Sequence, residues 1–185
     1  MVRSFIAIEV RTQTLEEYVN EVHGILSEHG VKFKLVDPKA LHITLKFLGD
    51  ISEAMISRLS RDLERIEFKR FLLKAKGIGF FPNHKRPRVI YIGVDEGKEK
   101  VSELAQIIEG ITSKLGFPRE TRRFKPHITI ARIKKPFPPP PVNILTKFGE
   151  KINEYVEINQ IKLKKSTLTP TGPIYEDLYV KDLKG

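Results

Sequence analysis

Two tetrapeptides of one design constrain this chain more than any other feature: His42-Ile43-Thr44-Leu45 and His127-Ile128-Thr129-Ile130. In a β-strand alternate side chains share a face, so each histidine and threonine point the same way, roughly 7 Å apart. The isoleucine between them points the opposite way, into packing. A strand that is polar on one face and aliphatic on the other holds an imidazole on a rigid element. Its repetition predicts one site built from two facing strands.

The rest of the chain carries a repeat around these motifs. Ser4–Val10 reads as a strand. Thr14–His29 follows with the helical spacing Leu15, Tyr18, Val19, Val22, Ile25, Leu26, a capping box at Thr14 and Glu17, and a stop at Gly30. His42–Leu48 is the first motif strand, closed by Gly49-Asp50. A helix over Glu53–Ile66 and a strand over Arg70–Ile78 come next. Arg88–Val94 restarts the pattern, Lys98–Leu115 is helical, and His127–Ile133 is the second motif strand. The motifs are offset by 127 − 42 = 85 residues, and Arg3 and Arg88, which open the leading strands, by 88 − 3 = 85. Glu154–Leu168 and Asp177–Leu183 read as closing strands joined through the Pro170-Thr171-Gly172-Pro173 turn. Pro136–Pro141 cannot enter a sheet interior and reads as a stiff connector rather than a partner-domain ligand.

This alternation predicts an α+β fold with antiparallel sheets. The length suits one domain over residues 1–185, or two small lobes sharing an interface, with repeat halves expected at approximately 1–80 and 86–185 and strands free to exchange between lobes. The apolar content of 40% supports a core, and no apolar stretch is long enough to cross a membrane. The N-terminus does not read as a secretory signal, and there are no cysteines, which excludes disulfides, thiolate metal sites and a cysteine nucleophile. A cytoplasmic location is expected. The net charge of +10 favours an anionic partner, but fits equally well a lysine-rich lineage adapted to heat.

Five histidines occur. His23 and His29 read as solvated on a surface helix, and His84 as a solvated loop residue. His42 and His127 differ because each interrupts a strand of buried type. Neither motif offers the close ligand spacing of a metal site, and there is no nucleophile elbow, Walker loop or dinucleotide fingerprint. What remains is paired acid–base catalysis, one neutral imidazole taking a proton and one charged imidazole giving one. The hydroxyls of Thr44 and Thr129 would hold phosphoryl oxygens. Arg132 is the candidate for stabilising transition-state charge, and Arg119, Arg122, Arg123 and Lys125 could steer an anion in.

With these residues in place, the sequence resembles the two-histidine phosphodiesterases, and within them the RNA 2′,3′-cyclic phosphodiesterases, also called 2′-5′ RNA ligases, of the LigT group. The likeness covers nearly the whole chain. It includes Ser4–Ala7, Leu41–Gly49, Phe81-Pro82 with Pro87–Val94, Phe124–Arg132 and Ser166–Tyr175. The resemblance implies two antiparallel sheets facing across a central cleft, helices outside, and a pseudo-twofold internal duplication. It implies hydrolysis of RNA 2′,3′-cyclic phosphate ends to 2′-phosphomonoesters without metal or cofactor, and reversible 2′-5′ ligation. His127 matches the base that activates water, His42 the proton donor, Thr44, Thr129 and Arg132 the phosphate-binding groups. Phe47 is suited to stacking on a base, though its own pattern fits core as well. RNA with cyclic ends, tRNA fragments among them, is the implied partner, and a monomer with no membrane association is expected. A non-catalytic RNA- or nucleotide-binding module and a phosphodiesterase of small cyclic nucleotides are the competing readings.

Overall fold

In the computed structural model, which describes residues 1–185, the first half of the chain runs β1 (Val2–Glu9), α1 (Gln13–Glu28), β2 (Phe33–Leu35), β3 (His42–Ile51), α2 (Glu53–Glu64) and β4 (Phe71–Phe81). The second runs β5 (Val89–Val94), α3 (Lys98–Lys114), β6 (His127–Ile133), α4 (Val142–Gly149), β7 (Asn153–Ile158), β8 (Gln160–Thr169) and β9 (Gly172–Asp182). Two antiparallel sheets result, ordered β3-β1-β8-β9 and β2-β6-β5-β4-β7. We call them the first and second sheets.

The order of strands displays the duplication. β3 lies beside β1 as β6 lies beside β5, and the next place in each sheet is taken by a strand from the other half, β8 beside β1 and β4 beside β5. Helices exchange too. α1 packs on the second sheet, where the His23 ring nitrogen Nε2 bonds the Ile130 carbonyl at 2.8 Å and the Tyr18 hydroxyl donates to the Lys151 carbonyl at 3.1 Å. One connected apolar core runs through both sheets, including Ile8, Ile43, Leu163, Ile92 and Ile128. Neither half could close that core alone, because each sheet is completed by the other half's strand.

Register refines the repeat. β1 pairs Glu9 with His42 and β5 pairs Gly93 with His127, an offset of 93 − 9 = 84 in the leading strands against 85 in the motif strands. Arg3 and Arg88 are therefore not equivalent, since their shared offset of 85 misses the strand correspondence by one residue. Within each motif strand the pairing also carries a β-bulge. It steps from Ile6↔Lys46 to Ala7↔Thr44 and from Ile90↔Ala131 to Tyr91↔Thr129, leaving Leu45 and Ile130 without a partner at matching places.

Several boundaries depart from the sequence reading. The segment Glu154–Leu168, read as one strand, is two: β7 ends at Ile158 in the second sheet and β8 begins at Gln160 in the first. Continuous apolar alternation hides a crossover that needs only Asn159. The N-cap of α1 is Thr12, whose hydroxyl accepts from the Leu15 amide at 3.1 Å, rather than Thr14. β3 continues through Gly49 to Ile51, because a left-handed glycine (φ +74°) is absorbed as a second irregularity in the β1 pairing. α4 follows the proline run, which leads from β6 to a cap at Pro141 and joins neither sheet. β2, only three residues long, is too short to show as a sequence pattern. His23 is not solvated, because it is held between α1 and β6 against Phe33.

The bulge has a second consequence at Lys46, which it turns inward. Its amine is almost wholly buried and donates to Glu109 Oε1 at 3.0 Å and to the Pro118 carbonyl at 2.7 Å, tying β3 to α3 and to the segment leading toward β6. Removing one partner of a buried pair leaves the other uncompensated. Lys46→Met is expected to lower the unfolding free energy by about 3 kcal/mol in urea titration. A loss below about 0.5 kcal/mol, the range of ordinary surface substitutions, would show that this link is not what joins the elements.

Candidate active site

The bulge is also what assembles the site. Simple alternation from His127 and Thr129 would bring residue 131 to the same face, but the extra residue turns Ala131 inward and Arg132 outward. On β3 the same shift buries Lys46 and exposes Phe47, which is 53% accessible. Phe47 and Arg132 thus occupy matching positions, each following its own His-x-Thr. His42, Thr44, Phe47, His127, Thr129 and Arg132 all line one cleft of about 750 Å³ between the two sheets. Phe47 is not core.

Each imidazole is fixed in the same manner. His42 Nδ1 lies 2.9 Å from the Ala40 carbonyl and His127 Nδ1 lies 2.7 Å from the Lys125 carbonyl, two residues upstream in both cases. A carbonyl oxygen only accepts, so Nδ1–H donates and Nε2 is left as the reactive nitrogen. Two aromatic rings hold each imidazole in place. Phe5 and Tyr175 lie 5.2 and 5.4 Å from His42, and Phe81 and Tyr91 lie 4.8 and 5.5 Å from His127, measured between ring centroids.

Burial pushes both imidazoles below the ordinary histidine range, and their carbonyl bonds oppose this. Lys164 and Arg132 lower His42 further while Glu9 raises it; Arg132 and Lys125 lower His127. Around His42 the charges are locked together. Glu9 Oε1 accepts from Lys164 at 2.7 Å and Lys162 at 3.0 Å, and Asp177 accepts from both at 2.9 Å. By contrast, the Thr44, Thr129 and Tyr175 hydroxyls and the Arg132 guanidinium face the cleft without a side-chain or backbone partner. A set of free donors among paired charges suits a tetrahedral anion.

Sequence patterns pointed to five of these residues and the resemblance to Phe47, but the flanking rings of Phe5, Tyr175, Phe81 and Tyr91 and the Glu9–Lys162–Lys164–Asp177 network were missed. Tyr175 stood inside the closing Ser166–Tyr175 segment of the resemblance without a role. The network could not be found from spacing, because its members come from three strands. His84 and His29 lie outside the cleft, as does Arg88, while Arg3 lines it. No three His, Cys, Asp or Glu side chains converge as a metal-holding group.

The network gives His42 a signed test. In an NMR titration of the His42 ring, Glu9→Gln removes the nearby anion and is expected to move its midpoint to lower pH. Lys164→Met removes a cation and is expected to move it up. Shifts of the same sign in both variants would disprove the assignment of these neighbours.

Known proteins share this arrangement of chain and fold. The LigT-like phosphoesterase family matches the sequence twice in tandem, over residues 7–91 and 92–175. A protein of Aquifex aeolicus named RNA 2′,3′-cyclic phosphodiesterase is 41% identical, with 88% of this chain and 91% of that one covered. One of the same name from Archaeoglobus fulgidus is 37% identical over 96% of this chain and 98% of its own. A crystal structure of a Thermus thermophilus protein superposes with a TM-score of 0.80 at 26% identity, covering 99% of this chain and 98% of the other. With the family pattern matched in both halves and relatives of this identity along nearly its full length, the chain belongs to the LigT-like phosphoesterase family.

Proposed function

We propose that this protein hydrolyses RNA 2′,3′-cyclic phosphate ends to 2′-phosphomonoesters by paired-histidine acid–base catalysis. The observation that carries the reading is the pair of cleft-lining imidazoles, each with Nδ1 held by a carbonyl, beside unpaired Thr44, Thr129 and Arg132. The names of the relatives agree with it.

The neutral His127 Nε2 takes a proton from water, whose oxygen attacks phosphorus. The P–O3′ bond breaks as the charged His42 Nε2 gives its proton to the departing 3′ oxygen, and the phosphate stays on O2′. Arg132 and the two threonine hydroxyls hold the non-bridging oxygens, where charge grows in the transition state. Phe47, exposed on the His42 side, stacks on the terminal base. The basic balance of the chain favours an RNA strand over a neutral ester. With a 5′-hydroxyl in place of water, the same proton transfers join two RNA ends through a 2′-5′ link.

The test follows product from a cyclic-ended oligoribonucleotide. His42→Ala and His127→Ala are each expected to lose about 10²–10⁴-fold in rate, with folding checked by circular dichroism and no effect of EDTA on the wild type. Full activity in either variant would defeat the paired assignment, and saturable binding without product would make the protein a binding module.

The pH dependence has a definite sign. His127 must be neutral, so the rate falls on the acid side of its pKa; His42 must be charged, so it falls on the alkaline side of its own. Since both are depressed in the free protein, kcat/KM is expected to peak on the acid side of the ordinary imidazole value of about 6.5. A bound phosphate anion favours imidazolium, so the kcat profile is expected to lie at higher pH. A kcat/KM profile that is flat or peaks in the alkaline range would contradict the scheme.

A further inference from the structure

The duplicated backbone makes one difference between the lobes conspicuous. The residue paired with the motif histidine is Glu9 in the first sheet and Gly93 in the second. Glu9, tied to Lys162 and Lys164, borders a hollow of about 230 Å³. Gly93 carries no side chain, and a groove of about 990 Å³ opens beside it. The floor of the groove includes Gly77, Gly79 and Gly93, and a Cβ added to Gly93 would meet the Lys76 carbonyl at 2.8 Å. Gly79 is the seat of the Tyr91 ring, since a Cβ there would fall 2.4 Å from it.

The walls carry charge. Lys76 from β4, whose amine lies 4.0 Å from Asp95, Lys98 from α3, and Arg123 and Lys125 from the segment before β6 line it together with two anions, Glu99 and Glu103. Lys125 stands where the groove meets the cleft: its amine donates to the Tyr91 hydroxyl at 3.2 Å, above the rings of Phe81 and Tyr91 that flank His127. Pockets of about 300–1,000 Å³ enclose drug-sized molecules, so this groove has room for one or two nucleotides.

Its position relative to the chemistry selects the strand. In-line displacement puts the attacking oxygen and the departing 3′ oxygen on opposite sides of phosphorus. The donor ribose, its base and the departing oxygen belong to the side of His42 and Phe47. The groove adjoins His127, where the nucleophile enters. We propose that this groove is the binding site for a second RNA strand, whose 5′-hydroxyl enters in place of water. The proton of that hydroxyl passes to His127, its oxygen forms the new bond to phosphorus, the P–O3′ bond breaks, and O3′ takes the proton of His42. No other reactant is needed. A bound and aligned hydroxyl can compete with bulk water because oriented groups reach effective molarities of about 10⁵–10⁸ M. This inference rests on the acid and base roles proposed above.

The test measures, in one set of reactions, hydrolysis of a 2′,3′-cyclic mononucleotide, hydrolysis of a cyclic-ended oligonucleotide, and its joining to a 5′-hydroxyl oligonucleotide. The double variant Lys76→Glu/Lys98→Glu is expected to keep both hydrolysis rates within about twofold. Its joining should fall at least about tenfold, with a raised KM for the 5′-hydroxyl strand and a weaker salt dependence of joining. Ser102→Phe, which fills the groove from α3 without altering charge, should give the same selective loss. Joining that is unchanged in both variants overturns the proposal. So does a raised KM for the cyclic-ended oligonucleotide with the 5′-hydroxyl strand unaffected, which would give the groove to the donor. A wild type that hydrolyses the mononucleotide but joins nothing at saturating acceptor overturns the groove and leaves the hydrolase reading intact. A wild type inert on the cyclic-ended oligonucleotide overturns that reading, and the groove's role with it.

Discussion

One extra residue in each motif strand governs what the cleft contains. A regular strand beginning His-x-Thr would send the fifth residue to the same face as the histidine, which here means Lys46 and Ala131. The bulge reverses the face after Leu45 and Ile130, so that Phe47 and Arg132 look into the cleft and Lys46 looks into the protein. The two outcomes are coupled. The shift that presents an aromatic ring to the cleft also buries an amine, and that amine is satisfied by Glu109 and the Pro118 carbonyl. The result is a link from the first motif strand to the segment that leads into the second. Because bulges occur where a side chain must be re-aimed, their matching places in the two halves are themselves part of the duplication.

Local pattern disclosed what depends on local physics. His42, Thr44, His127 and Thr129 were legible because alternation along a strand is set by the backbone, and because repetition at an 85-residue spacing joined two weak signals. Arg132 was legible only as a nearby cation, since a period of two places it on the wrong face and nothing in Ile130-Ala131 announces a bulge. Phe47 could be read as core or cleft for the same reason. The break at Asn159 and the pairing of β8 with β1 depend on which sheet needs a strand, a tertiary fact absent from a run of alternating residues. His23 was misread because its helix looked one-sided, whereas α1 lies across the other half's sheet and its polar face meets the Ile130 carbonyl.

Equivalent backbone positions with unlike side chains give the cleft its direction. Phe47 and Arg132 share a place in the repeat, yet one offers a flat apolar ring and the other a fixed cation. A nucleotide has those two needs at opposite ends, a base with π-faces and a charged phosphate. Two identical halves would bind it equally well in either direction. The aromatic flanks are shared, with one phenylalanine and one tyrosine beside each imidazole, so the asymmetry does not come from how the rings are held. It comes from what stands next along each strand.

The same reasoning separates charges that hold the protein from charges that are free to meet a ligand. Lys162, Lys164, Glu9 and Asp177 satisfy one another and leave no net charge to offer, although they adjust the proton affinity of His42. Arg132 has no such partner and stands close enough to lower both imidazoles. An approaching phosphate therefore acts in two ways. It neutralises the field of Arg132 and adds a negative charge beside both rings, and each effect favours imidazolium. In the proposed mechanism, protonation of His42, opposed by burial, is promoted by the anion whose leaving oxygen would take that proton. In the same mechanism His127 stays neutral, and Arg132 and Lys125 oppose its protonation as Lys164 and Arg132 oppose that of His42. What distinguishes the two imidazoles electrostatically is Glu9, a carboxylate beside His42 that has no counterpart beside His127.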